Sequence, residues 1–200
     1  MPRTKESFEA MRQSTRQKIE ATALHLFARK GLSVKIGEIA KAAGVSQGLM
    51  YSHYPSKDAL IAELIKQAIT ISSEYVMNIA ENEEAAATKI KSITKMMCEM
   101  FSMAPIGIDY FMFMAQVGMS GNMSQEIITF SDEMPNLAHI LAGIIVQGQA
   151  ENTVVGGDPF QLSIVYWVEI QGLCGYAITG MPLSPEPIML NRILIKEEYL

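Results

Sequence analysis

Residues that bind metals or form disulfides are scarce in this chain of 200 residues, which has two cysteines and three histidines. Cys98 and Cys174 both lie in apolar segments without metal-ligand spacing, and His25, His53 and His139 are far apart in the sequence. We therefore predict buried, reduced thiols, as in a reducing cytosol, and neither a metal site nor a cofactor.

Two common enzyme signatures are also lacking, because neither a glycine-rich phosphate loop nor an H-E-x-x-H motif occurs. We predict that the chain is not an enzyme and has no catalytic residues. An enzyme built on a helical scaffold is the alternative, which a screen for turnover would test.

Long apolar runs are few, and polar side chains interrupt the most membrane-like one, residues 160–179. Glu169 lies near its middle, where a carboxylate in a membrane span would cost about 2.5–3.5 kcal/mol. We predict a buried helix there and no membrane partner. The first ten residues contain no apolar run, so we expect no secretory signal and a cytoplasmic protein.

Strand signals are missing as well, because alternating apolar and polar residues bounded by hairpin turns do not occur. Apolar residues recur instead at helical spacing between glycine and proline breakers. We predict an all-α fold of about nine helices. The longer ones are expected over residues 15–30, 57–80, 86–103, 108–118, 124–149 with a kink at Pro135, 159–179 after a cap at Asp158, and 187–198.

Charge is divided unevenly along the chain, whose net charge is −5. Residues 1–60 hold ten Lys or Arg and five Asp or Glu, a net charge of +5, so the remaining 140 residues carry −10. A basic N-terminal third on an acidic body is the asymmetry expected when one end of a protein meets a polyanion such as DNA.

Residues 39–57 read I-A-K-A-A-G-V-S-Q-G-L-M-Y-S-H-Y-P-S-K and predict two short helices joined by a tight turn. A short turn containing glycine between two helices is the geometry of a DNA-binding helix-turn-helix. Gly44 supplies the left-handed backbone of the turn, and Ser46 is placed to cap the second helix. An ordinary helical hairpin is the alternative for the bare A-x-x-x-G-V pattern, but the polar second helix would make a poor core element.

These residues resemble the tetracycline-repressor (TetR) family of transcriptional regulators. The family motif A-G-V-S-x-G-x-x-Y-x-H-F-x-x-K is matched here over residues 43–57, with Tyr54 in place of the usual phenylalanine. One departure is Val34-Lys35-Ile36, which stands where the family usually has a Thr-Thr or Thr-Ser pair; Lys35 could replace the lost phosphate contact with a charge, or Ser33 could be the cap.

The resemblance implies a division of the chain into a small DNA-binding part and a larger helical part. We expect a flexible basic arm over residues 1–13, a helix-turn-helix DNA-binding domain over 14–60, and a helical effector-binding and dimerisation domain over 61–200.

The second helix of the motif is the predicted recognition helix. Gln47 is the best candidate for reading bases, because an amide can bond the edge of an adenine through two hydrogen bonds. The resemblance implies phosphate contacts, which fix register and do not specify sequence. The full predicted set is Lys35, Ser46, Gln47, Gly48, Leu49, Tyr51, Ser52, His53 and Lys57.

Because one helix-turn-helix reads only a few base pairs, we predict a homodimer on a near-palindromic site in double-stranded DNA, with recognition helices about 34 Å apart. The last two helices are expected to build the dimer surface. One stripe on the helix over residues 160–179 is the candidate, and packing inside the monomer is its alternative: Val165, Val168, Gly172, Gly175 and Thr179.

Methionine is concentrated in residues 96–134, which hold nine of the chain's 15 methionines among several aromatic residues. Methionine adapts to irregular apolar surfaces, so this region could hold a cavity for a small apolar effector, as the family resemblance implies. A methionine-filled core without a cavity is the alternative. The predicted lining is Met97, Met100, Phe101, Tyr110, Phe113, Met114 and Trp167, and polar residues that could face it are Glu99, Asp109, Gln116 and Glu169.

Together these features predict a cytoplasmic, homodimeric transcriptional regulator, a repressor that a small apolar effector releases from a palindromic operator. The alternative is a small-molecule-binding helical protein with a degenerate DNA-binding head.

Overall fold

The computed structural model describes residues 5–103, 105–121, 136–180 and 185–200. These residues form nine α-helices and a final 3-10 turn at Glu197–Tyr199. The predicted all-α fold is confirmed. The helices are α1 (Lys5–Lys30), α2 (Ile36–Ala43), α3 (Gln47–His53), α4 (Lys57–Glu81), α5 (Ala86–Met103), α6 (Pro105–Ser120), α7 (Leu137–Ala150), α8 (Pro159–Ala177) and α9 (Pro187–Asn191).

Buried side chains form two clusters. The head cluster unites α1 to α4 with the C-terminal half of α6, and its fully buried members include Phe27, Ile39, Met50, Leu64 and Phe113. The body cluster unites the end of α4 with α5 to α9, and its fully buried members include Ile90, Ile93, Leu141, Tyr166 and Cys174.

Helix α4 runs through both clusters, because Leu64 packs in the head cluster and Val76 in the body cluster. Its start is fixed by Ser56, whose hydroxyl accepts a hydrogen bond from the amide of Ala59 at 3.1 Å. The predicted domain boundary after residue 60 therefore lies inside a helix that the two clusters share, and that boundary stays a prediction.

The first helix begins earlier than the sequence indicated. Residues 5–13, which we expected to form a mobile arm, are the first turns of α1. This stretch has no proline or glycine and consists mainly of good helix formers, so nothing in it stops the helix from extending outward. Residues 1–4 lie outside the described part of the chain.

Two further predicted helices differ substantially from the structure. Asn136 is extended and caps α7 by accepting from the amide of Ala138 at 2.8 Å, so the helix predicted over 124–149 does not run through this residue. The predicted last helix ends at Asn191, because Ile195 instead forms an antiparallel bridge with Val154. Residues 122–135 lie outside the described part of the chain.

The cap predicted at the start of α8 is confirmed. The carboxylate of Asp158 accepts from the amide of Gln161 at 2.8 Å, and Pro159 occupies the first turn. Among the described residues, no helix combines the length and the apolar character that crossing a membrane requires.

Candidate nucleic-acid interface

Helices α2 and α3 are joined by the tight turn that the sequence indicated. Gly44 has φ 64° and ψ 35°, the left-handed conformation that a Cβ disfavours, so this prediction is confirmed. The amide of Val45 donates to the carbonyl of Ala40 at 3.0 Å and closes the turn. Ala40 and Ala43 are buried on the side of α2 that faces the head cluster.

Helix α3 is held at its start and buries only one of its residues. The hydroxyl of Ser46 accepts from the amide of Leu49 at 3.1 Å, which confirms the predicted cap. Met50 is fully buried and fastens the helix to the head cluster. The other face points to solvent, with the side chain of Tyr51 51% exposed beside Gln47 and Ser52. An exposed, polar helix on a basic head fits the groove of a polyanion.

A polar network fixes the end of α3 against α1 and α4. Tyr54 is buried; its hydroxyl donates to the Glu20 carboxylate and accepts from Arg16 Nε at 3.1 Å. Burial, and then the hydrogen bond to Glu20, raise the pKa of Tyr54, so its proton stays in place. Arg16 also pairs with Glu63 of α4 at 2.6 Å. The position of α3 is therefore set by hydrogen bonds as well as by apolar packing.

The two predicted lysines at the edge of α3 have different surroundings. Lys35 is exposed and is the cap residue of α2; its amide donates to the Glu38 carboxylate at 2.9 Å, so Ser33 is not the cap. Lys57 is half-buried, and its ammonium donates to the carbonyl of Leu32 at 2.8 Å. Lys57 therefore ties the start of α4 to the loop after α1, a role that the sequence did not indicate.

The amide of Gln47 lies over α2. A Cβ built on Gly37 would come within 2.5 Å of Gln47 Nε2, so the side chain rests on the glycine backbone. Gln47 is otherwise exposed and can rotate away from this position. His53 is half-buried at the end of α3, and the hydroxyl of Ser52 donates to the carbonyl of Leu49 within the helix at 2.7 Å.

Residues 44–48, G-V-S-Q-G, also spell the G-x-S-x-G pattern of hydrolase nucleophile elbows. In such enzymes the serine sits on a turn from a strand to a helix with its hydroxyl available for attack. Here the turn joins two helices, and the hydroxyl of Ser46 caps α3. The local structure therefore fits a helix cap and not a nucleophile.

The stripe predicted for dimerisation lies mostly on the solvent side of α8. Val165 and Val168 are 54% and 59% exposed, and Gly172 and Thr179 are exposed as well. Gly175 is the exception, because a Cβ there would lie 3.9 Å from the side chain of Met112. The opposite face of α8 is buried in the body cluster.

Helix α7, and not the last helix, lies beside this stripe. It packs against α8, and the rings of His139 and Phe160 at the starts of the two helices are 4.7 Å apart. The exposed positions of α7 include Gly143 and Val146. The two helices together present an apolar face with small residues, which suits close packing against another helical surface.

The residues predicted to line an effector cavity do not lie together, because the described ones are divided between the body cluster and the head cluster. Met97 is buried in the body cluster, and Trp167 packs on Phe111 with ring centroids 6.3 Å apart. Within the described part of the chain, the buried Nε1 of Trp167 has no hydrogen-bond partner. Met100 and Phe101 lie outside the described side chains. Met97 and Trp167 thus remain the candidates on the body side.

Three predicted pocket residues lie instead with the head cluster. Phe113 is fully buried and stacks on Phe27 of α1 with centroids 6.0 Å apart. The hydroxyl of Tyr110 donates to Gln67 of α4 at 3.2 Å, and Met114 packs against the same cluster. These positions differ from the prediction because the face of α6 that carries Phe113 meets α1.

A polar contact accompanies this packing and was missed by sequence reasoning. The buried Asp109, expected as a possible pocket residue, faces His25 and Arg29 of α1. Asp109, Phe113 and Val117 follow one another at helical spacing, which is the signal that could have indicated a single buried face of α6.

Both cysteines are buried in the body cluster, and neither forms a disulfide, as predicted. Burial raises the pKa of Cys174 to about 12. Burial is also the main cause that raises the pKa of Cys98. The two thiols are therefore protonated near neutral pH and act as apolar packing residues.

Comparison with known proteins gives matches of two kinds. Residues 19–64 match the family described as bacterial regulatory proteins, tetR family. The HTH-type transcriptional regulator AcrR of Shigella flexneri is 49% identical over 53 residues, which are 26% of this chain and 25% of that protein. The chain thus matches only a quarter of that relative's length.

Solved structures match most of the chain. A protein from Saccharomonospora viridis in complex with choline covers 90% of this chain and 93% of its own, with a TM-score of 0.65 and 19% identity. The complex of SmeT with triclosan covers 94% of both chains, with a TM-score of 0.64 and 14% identity. At these identities the likeness concerns the fold alone.

Proposed function

We propose, from the premise that the chain belongs to the tetR family of bacterial regulatory proteins, that it is a DNA-binding transcriptional regulator that responds to a small ligand. Regulators of this family bind DNA and are not enzymes, which agrees with the prediction from the sequence. We further propose that it is a cytoplasmic repressor.

One observation carries the proposal: α3 is an exposed, capped helix that the rest of the head holds in place without covering. Met50 and the Tyr54 network fix the helix from beneath, while Gln47, Gly48 and Tyr51 remain on the open side. A helix presented in this way can enter the major groove, where base edges differ in their donors and acceptors. The net charge of +5 on residues 1–60 supports binding to phosphates.

A homodimer is proposed to present two such helices to one operator. The exposed stripes of α7 and α8 offer an apolar face on which a second copy would exclude water. A two-fold axis through this face would place the recognition helices on successive major grooves, about 34 Å apart, and so require a near-palindromic site.

The effector is proposed to be a small, apolar molecule that binds within the body near Met97 and Trp167. The complexes of related folds with choline and triclosan support a ligand site in a body of this architecture. Helix α4 extends from the body cluster into the head, so a shift of its body end would move α3. The effector must bind the released state more tightly than the DNA-bound state, because otherwise it shifts no equilibrium.

The experiment that tests the proposal is selection of DNA from a random library by the purified protein, followed by affinity titrations at two salt concentrations. We expect an enriched near-palindrome whose affinity falls steeply with salt, as phosphate neutralisation requires. Failure to enrich any sequence, with only weak binding at low salt, would contradict the proposal and favour a ligand-binding protein with a degenerate head.

Substitution of Gln47 by alanine should relax base preference at one position of each half-site by roughly 5- to 150-fold, because an amide paired with adenine contributes about 1–3 kcal/mol of discrimination. Competition binding against operators altered at single positions measures this. The control is Tyr51→Phe, which removes a hydroxyl and should weaken all sequences alike. Unchanged preference in Gln47→Ala would show that Gln47 does not read bases.

A further inference from the structure

The contact between α1 and α6 contains a buried acid. The side chain of Asp109 is 5% exposed, although a carboxylate is rarely buried without a partner. His25 Nδ1 lies 2.8 Å from Asp109 Oδ2, and Arg29 Nε lies 3.7 Å from Asp109 Oδ1. Asp109 thus joins a helix of the body to an imidazole and a guanidinium on a helix of the head.

The second oxygen of this acid is held by charge alone. At 3.7 Å the contact with Arg29 is an ion pair without a hydrogen bond, and Oδ1 has no other partner within the described part of the chain. The cost of burying Asp109 is therefore offset only while His25 and Arg29 stay beside it. A small displacement of α1 along α6 would separate Asp109 from both side chains.

The apolar contacts between α1 and α6 fix the relative position of the two helices less strictly than the polar contacts of Asp109 do. The stacked rings of Phe27 and Phe113 stabilise the contact between α1 and α6 through burial of apolar surface, which depends on the buried area more than on orientation. Gln116 also lies close to the backbone of Gly31, with Oε1 3.5 Å from an ideal Cβ there. The pairs at Asp109 add the directional contact that fixes how far α1 lies along α6.

Arg29 also contacts the end of α8, the helix proposed for dimerisation. Its Nη1 donates to the carbonyl of Ile178 at 3.1 Å, and Ile178 is the C-cap residue directly after α8. One side chain of the head thus contacts both α6 and the end of α8. The head is consequently connected to the body through the continuous helix α4, through the packing of α1 on α6, and through Arg29 with Asp109.

We propose that Asp109, together with Arg29 and His25, is a positioning element that fixes the distance between the two recognition helices and so sets the spacing of operator half-sites that the dimer accepts. The inference rests on the proposed function, because it requires a dimer that reads two half-sites. None of these residues needs to contact DNA for this role. Without these contacts of Asp109, only α4 and the apolar packing of α1 on α6 would restrain the head, and the dimer would accept several spacings.

The test compares operators that differ only in spacing. Starting from the selected operator, one or two base pairs are inserted or deleted between the half-sites, and affinities are measured for the full-length protein and for Asp109→Asn. We expect the preference of the variant for the native spacing to shrink by a factor of roughly 2 to 30, the range over which single residues alter coupling between sites. The slope of affinity against salt should stay unchanged, since it counts phosphate contacts.

Two further variants test the same contact in case Asp109→Asn does not fold. Arg29→Gln removes the guanidinium, and His25→Gln removes the imidazole that contacts Asp109. Both side chains are partly exposed, so both variants should fold and flatten the spacing preference. Glu197→Gln is the matched control, because it removes a carboxylate from an exposed pair with Arg192 and should leave the preference intact.

The outcomes separate the two proposals. If the unmodified protein selects no operator, the proposed function fails, and this inference fails with it. If an operator is found but Asp109→Asn and Arg29→Gln lose affinity equally at all spacings, or keep the native preference, only the inference is overturned. A smaller salt slope in Arg29→Gln would also overturn it, because Arg29 would then contact phosphate directly.

Discussion

Replacement of Phe113 by alanine is expected to lower the free energy of unfolding by about 3–5 kcal/mol, the usual cost of removing a fully buried aromatic ring. Phe113 has no exposed surface and stacks on Phe27, so the vacated space would lie at the contact between α1 and α6. Thermal or denaturant unfolding of the purified protein measures the loss, and the transition should shift markedly to lower temperature or denaturant concentration.

Met119→Ala provides the control on the same helix. Its side chain is 72% exposed, and surface substitutions of this kind usually change stability by no more than about 0.5 kcal/mol. A loss below about 1 kcal/mol for Phe113→Ala would mean that the ring is not tightly packed, as expected of a residue lining a cavity. The experiment thus distinguishes a Phe113 that lines an effector cavity, as the sequence indicated, from a Phe113 that is packed between α1 and α6, as in the structure.

Local features of the head could be predicted because their causes lie within a few residues. Gly44 is required by a left-handed turn, and the hydroxyls of Ser46 and Ser56 satisfy amides three residues further on. The exposed face of α3 follows from the same local pattern, since only Met50 among its seven residues is buried. Whether these residues bind DNA stays a prediction until a binding experiment is done.

The orientation of α6 could not be predicted, because apolar residues occur on all sides of this helix. Ile108 packs in the body cluster, while Phe113 and Val117 pack in the head cluster. Periodicity distinguishes a buried face from a polar face, but it cannot choose between two apolar surroundings. The pairing of Asp109 with His25 joins residues 84 positions apart and is likewise decided by tertiary packing.

The structure of the C-terminal segment could not be predicted from local sequence either. Apolar residues from 187 onward favour a helix, yet the amide of Val155 donates to the carbonyl of Leu194 at 2.8 Å, and that of Lys196 donates to Thr153 at 3.0 Å. These bonds to a loop about forty residues earlier replace helical ones. Their stabilising effect depends on where the loop lies, which a local pattern does not contain.

Introducing a charge at Val168 is expected to abolish the dimer and to weaken operator binding by about 100-fold or more, because linking two binding modules increases affinity by 10²–10⁴ over either alone. Val168 is 59% exposed in the middle of the stripe on α8, where a carboxylate would lose its water shell on dimerisation without gaining a partner. Light scattering of Val168→Asp gives the oligomeric state, and titration with the selected operator gives the affinity.

Two further variants decide whether the exposed stripe on α8 forms the dimer interface. Val146→Asp should behave like Val168→Asp, since Val146 lies exposed on α7 beside the same face. Ile106→Asp should remain dimeric and bind normally, because Ile106 is an equally branched, exposed residue on α6. If Val168→Asp stays dimeric at micromolar concentration, the dimer forms elsewhere. The operator spacing must then follow from another axis, and the contact of Arg29 with the end of α8 would no longer connect the head to the dimer interface.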